Sequence, residues 1–213
     1  MARTQAADYE QRRERILEKA ADLFAAMGFR GASVSDLAAS CQTSKSLIYH
    51  YYPSKEAVLY AVMLSHIDQL VEDVKNVMAQ AGSPRDRLLW LLHLFMEHYV
   101  DAAARQKVLL NELGSLPEDK RLSVIGKQRM IINAVRSLIV DIHPELANEL
   151  AEARVRTMLL FGMLNWTKTW FNDAGLVTAG AIAEMAFDLI APGVKRFCLS
   201  DPVLETRFLV GAK

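Results

Sequence analysis

The sequence predicts an all-α chain of about nine helices, with an N-terminal three-helix helix-turn-helix module on a larger C-terminal helical bundle. Three observations predict it. Apolar residues recur at three- and four-residue spacing along most of the 213 residues, and no stretch alternates long enough to form a strand. Only 10 Gly and 6 Pro punctuate the chain, so long elements with short connections are expected. The pattern also changes near residue 55, where three short helices give way to long amphipathic or apolar ones. The expected domains are therefore 1–54 and 55–213. Hydrophobic residues at 52 % and charged residues at 23 % exclude disorder and supply a core.

Each element has its own signals. Ile16, Ala20, Leu23, Phe24 and Met27 share one helix face, and Gly28 stops that helix. Ser33-Val34-Ser35-Asp36 is a capping-box pattern that opens a short helix reaching about residue 40. Cys41-Gln42-Thr43 leads into a second short helix, 44–51. Pro53 ends it, because the residue before a proline is pushed out of helical geometry. Ser54 caps a long helix over about 55–81, closed by Gly82. Ser83-Pro84-Arg85-Asp86 opens the next, about 84–104; it is apolar nearly all round from Leu88 to Phe95 and is expected at the centre. Further helices are expected over about 106–114, 118–141, 146–171 and 179–191, with a weakly structured tail from Gly193.

Several functions lack their signatures. Cys41 and Cys198 are too few for a disulfide framework, and Cys41 reads as a small buried hydrophobe rather than a thiol switch. Residues 1–15 contain no apolar stretch, and no run reaches the roughly 20 residues of a membrane helix, so a soluble cytoplasmic protein is expected. Glu-x-x-His, His-Glu-x-x-His and Cys-x-x-Cys spacings are absent, as are a phosphate-cradling glycine loop and a Gly-x-Ser-x-Gly elbow. No metal, cofactor or catalytic residue is expected.

The 25 basic and 25 acidic side chains cancel, which by itself argues against nucleic-acid binding. The sum conceals an asymmetry of +2 over residues 1–55 and −2 over 56–213. Two short helices joined by a tight turn have the layout in which the second helix enters a DNA major groove. In Thr43-Ser44-Lys45-Ser46-Leu47-Ile48-Tyr49-His50, Leu47 and Ile48 face the module's core. Lys45, Ser46, Tyr49 and His50 then project outward and can bond to bases or phosphates. Lys55 opens the following helix, where exposed backbone N–H groups favour phosphate.

In the body, polar residues sit amid apolar ones. Asn133, Asn165, His93 and His98 lie among Met130, Ile131, Leu164, Trp166, Trp90, Phe95 and Tyr99, and nine methionines suit an adaptable wall. A small-molecule pocket built from Trp90, Phe95, His98, Tyr99, Met130, Asn133, Phe161, Asn165 and Trp166 is expected. The run Met158–Leu164 is too apolar for one buried face, which suggests a second face buried across a two-fold axis.

The order Ile16-Leu17…Ala21-Asp22-Leu23-Phe24…Gly28-Phe29…Ser33-Val34…Leu37-Ala38…Ser44-Lys45-Ser46-Leu47-Ile48-Tyr49-His50-Tyr51-Tyr52-Pro53-Ser54-Lys55-Glu56…Leu59 closely resembles the N-terminal domain of the TetR family of bacterial transcriptional regulators. The resemblance spans about residues 10–62. It implies that Lys45, with Ser44 and Thr43, contacts bases, and that Tyr49, His50 and Lys55 meet phosphates. Ser33 takes the place of the cap that lies near a phosphate. One departure is Gln42, where a turn glycine is common; glutamine tolerates positive φ poorly, so a turn slightly altered or strained is expected.

Phe161-Gly162-Met163-Leu164-Asn165-Trp166-Thr167-Lys168-Thr169-Trp170-Phe171, followed by Leu176, Ala183-Glu184, Ala186 and Leu189, looks like a stretch of the TetR-family regulators of fatty-acid, sterol and aromatic-acid degradation. Those respond to acyl-coenzyme A thioesters. The resemblance implies a homodimer joined through helices near 146–171 and 179–191. It also implies a palindromic operator with half-sites about 34 Å apart or a small multiple of that, and a small apolar effector, an acyl-CoA thioester or the related apolar acid it derives from, that releases the DNA. Arg105, Lys107, Arg121, Arg129 and Lys168 are candidate partners for its phosphates. The alternative is an all-α carrier or enzyme whose N-terminal helices bind no DNA.

Overall fold

The structure, a computed structural model, describes residues 2–191 apart from Asp173, with side chains from Asp8 onward. Nine α-helices and three 3-10 turns make up its regular structure, with no strand among the described residues. The expected tail from Gly193, and Cys198 within it, lie outside the described residues.

The helical run α1, Ala2–Gly31, is broken at Gly28 (φ 73°, ψ 158°), so the chain turns there as the glycine signal predicts. Ile16, Leu17, Ala20, Ala21 and Phe24 form its buried face. Helices α2 (Val34–Ser40) and α3 (Lys45–Tyr51) follow, then α4 (Lys55–Ala79). Each is capped by a serine, at Ser33 and Ser54 as expected and at Ser44 besides: their side chains accept from the backbone N–H three residues on. Asp36 completes the box on Ser33, and the same pairing recurs between Ser83 and Asp86. Both carboxyls are held below their usual range, chiefly by the serine hydroxyl bonded to them.

Helix α5, Pro84–Asp101, lies at the centre of the body and packs on α4, α6 (Ala103–Asn111), α7 (Glu118–Ile142) and α9 (Ala179–Ile190). Leu88, Leu91, Leu92, Phe95 and Met96 are buried, each contributing roughly 1.5–3 kcal/mol by its removal from water. At Gly180 the His93 ring of α5 packs against the α9 backbone, where an added Cβ would lie 3.3 Å from it. Helix α8, Leu150–Trp166, packs on α7 and α9.

Several boundaries differ from the expectation, among them the end of α8 at Trp166, where a helix to about 171 was expected. Helix α5 ends at Asp101, and α6 begins at Ala103 rather than near 106. Val100-Asp101-Ala102-Ala103-Ala104 contains no helix breaker, so the bend comes from packing: α6 turns to lie along α1 and α4. After Pro144 the chain makes a 3-10 turn, Pro144–Asn148, before α8 starts at Leu150. Leu146 is buried there between α7 and α8, which holds the turn in place.

The N-terminal helices are fastened to the body in two places. The Lys55 Nζ at the start of α4 donates to the carbonyls of Phe29 (2.7 Å) and Ala32 (2.8 Å) at the end of α1. On the other side α6 lies along α1, and Arg105 pairs with Glu14. Among the described residues, no helix is long and apolar enough to cross a membrane.

Candidate DNA-reading surface and effector cavity

The turn between α2 and α3 is built by backbone bonds. Thr43 N–H donates to the Ala38 carbonyl (2.9 Å) and Gln42 N–H to that of Ala39 (3.0 Å), the double bond of a Schellman motif. This motif puts the residue after the cap in the left-handed region, and that residue is Gln42, at φ 54°. It is the one non-glycine residue with positive φ among the described residues. The strain expected of glutamine at this position is present.

Helix α3 starts from the Ser44 cap and anchors through Ile48, which is fully buried; Leu47 is half-buried. Spacing of about 100° per residue then turns Lys45, Ser46, Tyr49 and His50 to solvent, and all four are exposed. Ser44 is exposed and Thr43 half-buried. The Lys45 charge lies close enough to Asp36 to help lower its pKa, though less than the Ser33 bonds do. Beyond His50, Tyr51 stacks on Tyr9 of α1 with ring centroids 4.7 Å apart, tying the far end of α3 to α1. Ser33 faces solvent at the start of α2. Lys55 is placed differently from the rest: its ammonium is bonded to two helix-end carbonyls and lies 4.3 Å from the Phe29 ring centroid.

Inside the body a cavity of about 230 Å³ lies between α4, α5, α6, α7 and α8. Phe95, Tyr99, Phe161 and Asn165 line it as expected. The other five expected residues lie elsewhere. Trp90, Met130 and Trp166 are 47 %, 52 % and 65 % exposed, and Asn133 is exposed as well. His98 faces Asp73, its Nε2 2.5 Å from Oδ2, and borders a cleft against α1 instead. The physical reason is helical geometry: Met130 and Trp166 are each one residue, about 100°, from a residue that does line the cavity.

What the sequence reading missed is Gln106, which is 3 % exposed. Its Oε1 lies 2.7 Å from His66 Nε2, and its Nε2 donates to Asn165 Oδ1 at 3.0 Å. The signal was available. Ala103, Gln106, Leu109 and Leu110 share one face at i, i+3, i+6 and i+7, so Gln106 is the polar residue on an apolar stripe. Its partner His66 is fully buried, and burial above all lowers its pKa to about 4, so the ring is neutral. The His66 Nδ1 is buried without a hydrogen-bond partner. An unmet lone pair costs less than an unmet N–H, so we assign the proton to Nε2. The row then runs from His66 through Gln106 to Asn165 and leaves the Asn165 Nδ2 donors for an acceptor in the cavity. Burial also pushes the Tyr99 phenol above its ordinary range. The cavity wall therefore contains no charge at neutral pH. It suits an apolar group that carries a carbonyl oxygen and disfavours a free carboxylate.

Comparison with known proteins is consistent with both parts. The family described as bacterial regulatory proteins, tetR family, matches residues 16–62. That described as tetracyclin repressor-like, C-terminal domain, matches residues 81–194. A TetR-family transcriptional regulator from Bordetella parapertussis is 41 % identical, with a TM-score of 0.82 over 85 % of this chain and 95 % of that one. The transcriptional repressor KstR2 of Mycobacterium tuberculosis is 22 % identical over 199 residues, 90 % of this chain and 96 % of that protein. The regulator YuxN of Bacillus subtilis is 29 % identical over a shorter stretch, 56 % of this chain and 40 % of its own length. AibR, solved with isovaleryl coenzyme A and operator DNA, has the same fold, with a TM-score of 0.73 at 23 % identity over 85 % of this chain and 98 % of that one. The turn at Gln42, the capped α3 and the helical body thus have a common source: the chain belongs to the TetR family of bacterial transcriptional regulators.

Proposed function

We propose that this protein is a dimeric repressor that acts in the cytoplasm and releases its operator when an acyl-coenzyme A thioester enters the cavity of the body. Residues 1–54 form the reading module and 55–213 the sensing and dimerising one. Lys45, Ser44 and Thr43 read bases, Ser46, Tyr49 and His50 hold the groove and its phosphates, and Ser33 lies beside the backbone. Two reading helices related by a two-fold axis require a palindromic site with half-sites about 34 Å apart, or a small multiple.

One observation carries this reading. On α6, Gln106 lines the cavity, and its neighbour Arg105 meets Glu14 on α1. The ion pair is half-exposed and by itself worth only about 0–1 kcal/mol. The coupling lies in the helix: α6 is packed along α1, so a ligand that shifts α6 moves the reading module with it. It does so only as far as it binds one α6 position more tightly than the other. The choice of a thioester rests on the uncharged wall with its Asn165 donor, and on the likeness to AibR, whose crystals hold isovaleryl coenzyme A.

The dimer reading rests on α8 and α9. Val155, Leu159 and Trp166 form an exposed stripe on the side of α8 away from the buried Ala153, Leu160, Phe161 and Leu164. Met185 and Leu189 continue it on α9. Gly162 lies in the stripe with open space above it, which admits a close partner helix.

The test is fluorescence anisotropy with the protein's own promoter region. Salt-sensitive binding is expected, reversed by acyl-CoA and untouched by the free acid or free coenzyme A. Absence of a salt-sensitive complex with any part of that region would overturn the repressor reading and favour the carrier.

A further inference from the structure

A second recess, of about 320 Å³, adjoins the first and shares Tyr99 as a wall. Its lining is different. Val100, Ala103 and Ala104 form one side, Thr167 and Phe171 the other, and Lys107 and Lys168 bring two cations into it. The two recesses are wired in parallel along the chain. Gln106 lines the neutral cavity and Lys107 the cationic one; Asn165 lines the neutral cavity and Lys168, three residues on, the cationic one.

The other candidate cations are placed elsewhere. Arg105 is paired with Glu14, and Arg121 and Arg129 on α7 border neither recess. Lys168 donates to Asn111 Oδ1 at 3.1 Å, which orients its ammonium and leaves further donors on it. Partial burial and then the like charge of Lys107 hold its pKa below the ordinary value. Two like charges on one recess repel, and a group with more than one negative charge offsets that repulsion.

We propose that Lys107 and Lys168 form an anion-binding compartment that takes the phosphates of the effector, while its uncharged acyl end lies beyond Tyr99 in the neutral cavity. This rests on the thioester reading above and adds to it: the effector site has two parts, and the phosphorylated tail contributes affinity through these two lysines. A ligand that lacks the phosphates fills only the first part.

Isothermal titration of the full-length dimer tests it with three probes: isovaleryl-CoA, S-isovaleryl-pantetheine, which lacks the phosphates, and free coenzyme A. In the native protein the CoA thioester is expected to bind at least about tenfold more tightly than the pantetheine thioester, a difference of about 1.4 kcal/mol. Lys107→Ala and Lys168→Ala should each weaken the CoA thioester about three- to tenfold and leave the pantetheine thioester unchanged. The double variant should bind both equally and lose the salt dependence. Arg129→Ala is the control for diffuse charge, and the melting curve of each variant confirms its fold.

If the CoA thioester binds and the lysine variants bind it as well as the native protein, the anion compartment is overturned and the thioester reading stands. Equal binding of the two thioesters by the native protein, or an equal loss in Arg129→Ala, overturns it too. If neither thioester binds the native protein, nor a longer octanoyl pair, the thioester reading fails and this proposal fails with it.

Discussion

The Lys55 ammonium lies 2.7 Å from the carbonyl oxygen of Phe29, above the ring of that same residue. A lysine at the first position of α4 thereby caps the last helical turn of α1, where carbonyls carry partial negative charge and lack helical partners. The sequence suggested a phosphate contact for this residue. Its geometry turns the ammonium to another task, holding the N-terminal helices at a fixed angle on α4.

The two roles separate by experiment. Lys55→Met keeps the aliphatic stem and removes two charge-assisted bonds, so a loss of about 1–3 kcal/mol in urea unfolding is expected. Operator affinity should keep its native salt slope. Unchanged stability with a slope shallower by about one unit would instead make Lys55 a phosphate ligand.

Gln42 gives a stabilising prediction. A side chain in the left-handed region costs about 1–2 kcal/mol, and glycine gives back about 0.5–1 through the freedom of the unfolded chain. Gln42→Gly should therefore raise stability by about 0.5–1 kcal/mol, read as a higher melting temperature, while Gln42→Ala leaves it close to native. A destabilised glycine variant would mean that the Gln42 side chain makes a contact worth more than the strain.

The face shared by α8 and α9 is tested by charge. Leu159 is 60 % exposed and Leu189 71 % exposed, so a glutamate at either position costs a single chain little. Across a two-fold interface the same charge is buried against apolar surface and its own symmetry mate. Leu159→Glu and Leu189→Glu are expected to halve the mass seen by light scattering, with the helical content unchanged. Variants that keep the native mass would rule this face out as the interface.

These cases also show what was legible in the sequence. The caps at Ser33, Ser54 and Ser83 were readable because each is a local bond between residues three apart. The exposure of Lys45, Tyr49 and His50 followed from the periodicity around Ile48. The bend at Ala102 was not readable, since neither glycine nor proline lies beside it and the cause is α1, far away in sequence. The cavity was half-readable. Asn165 and Phe161 of the expected set line it, Trp90 and Trp166 of the same set face outward, and Gln106, outside that set, is marked only by its place on the apolar stripe of α6.

Buried and neutral, His66 sets the pH dependence of stability. Its folded pKa lies near 4 against an ordinary 6.5, because burial disfavours the charged ring and the nearby His98 and Arg105 charges act in the same direction. Between these values the unfolded chain binds a proton that the folded chain does not, so stability falls as pH drops from about 6.5 towards 4 and is fully present above that window. The shift corresponds to a loss of about 3 kcal/mol at the acid end. The hydrogen bond to Gln106 works against this shift but is outweighed. Asp36 and Asp86, whose pKa values are lowered by Ser33 and Ser83, lose their contribution only at more acid pH, so the two effects separate. Urea unfolding at pH 7, 5.5 and 4.5 should show a steep decline for the native protein. A His66→Gln variant, which keeps a polar group but cannot titrate, should show a much flatter curve. Parallel curves would mean that His66 keeps its ordinary pKa in the folded chain, and that the row through Gln106 to Asn165 takes up a charge below about pH 6.5.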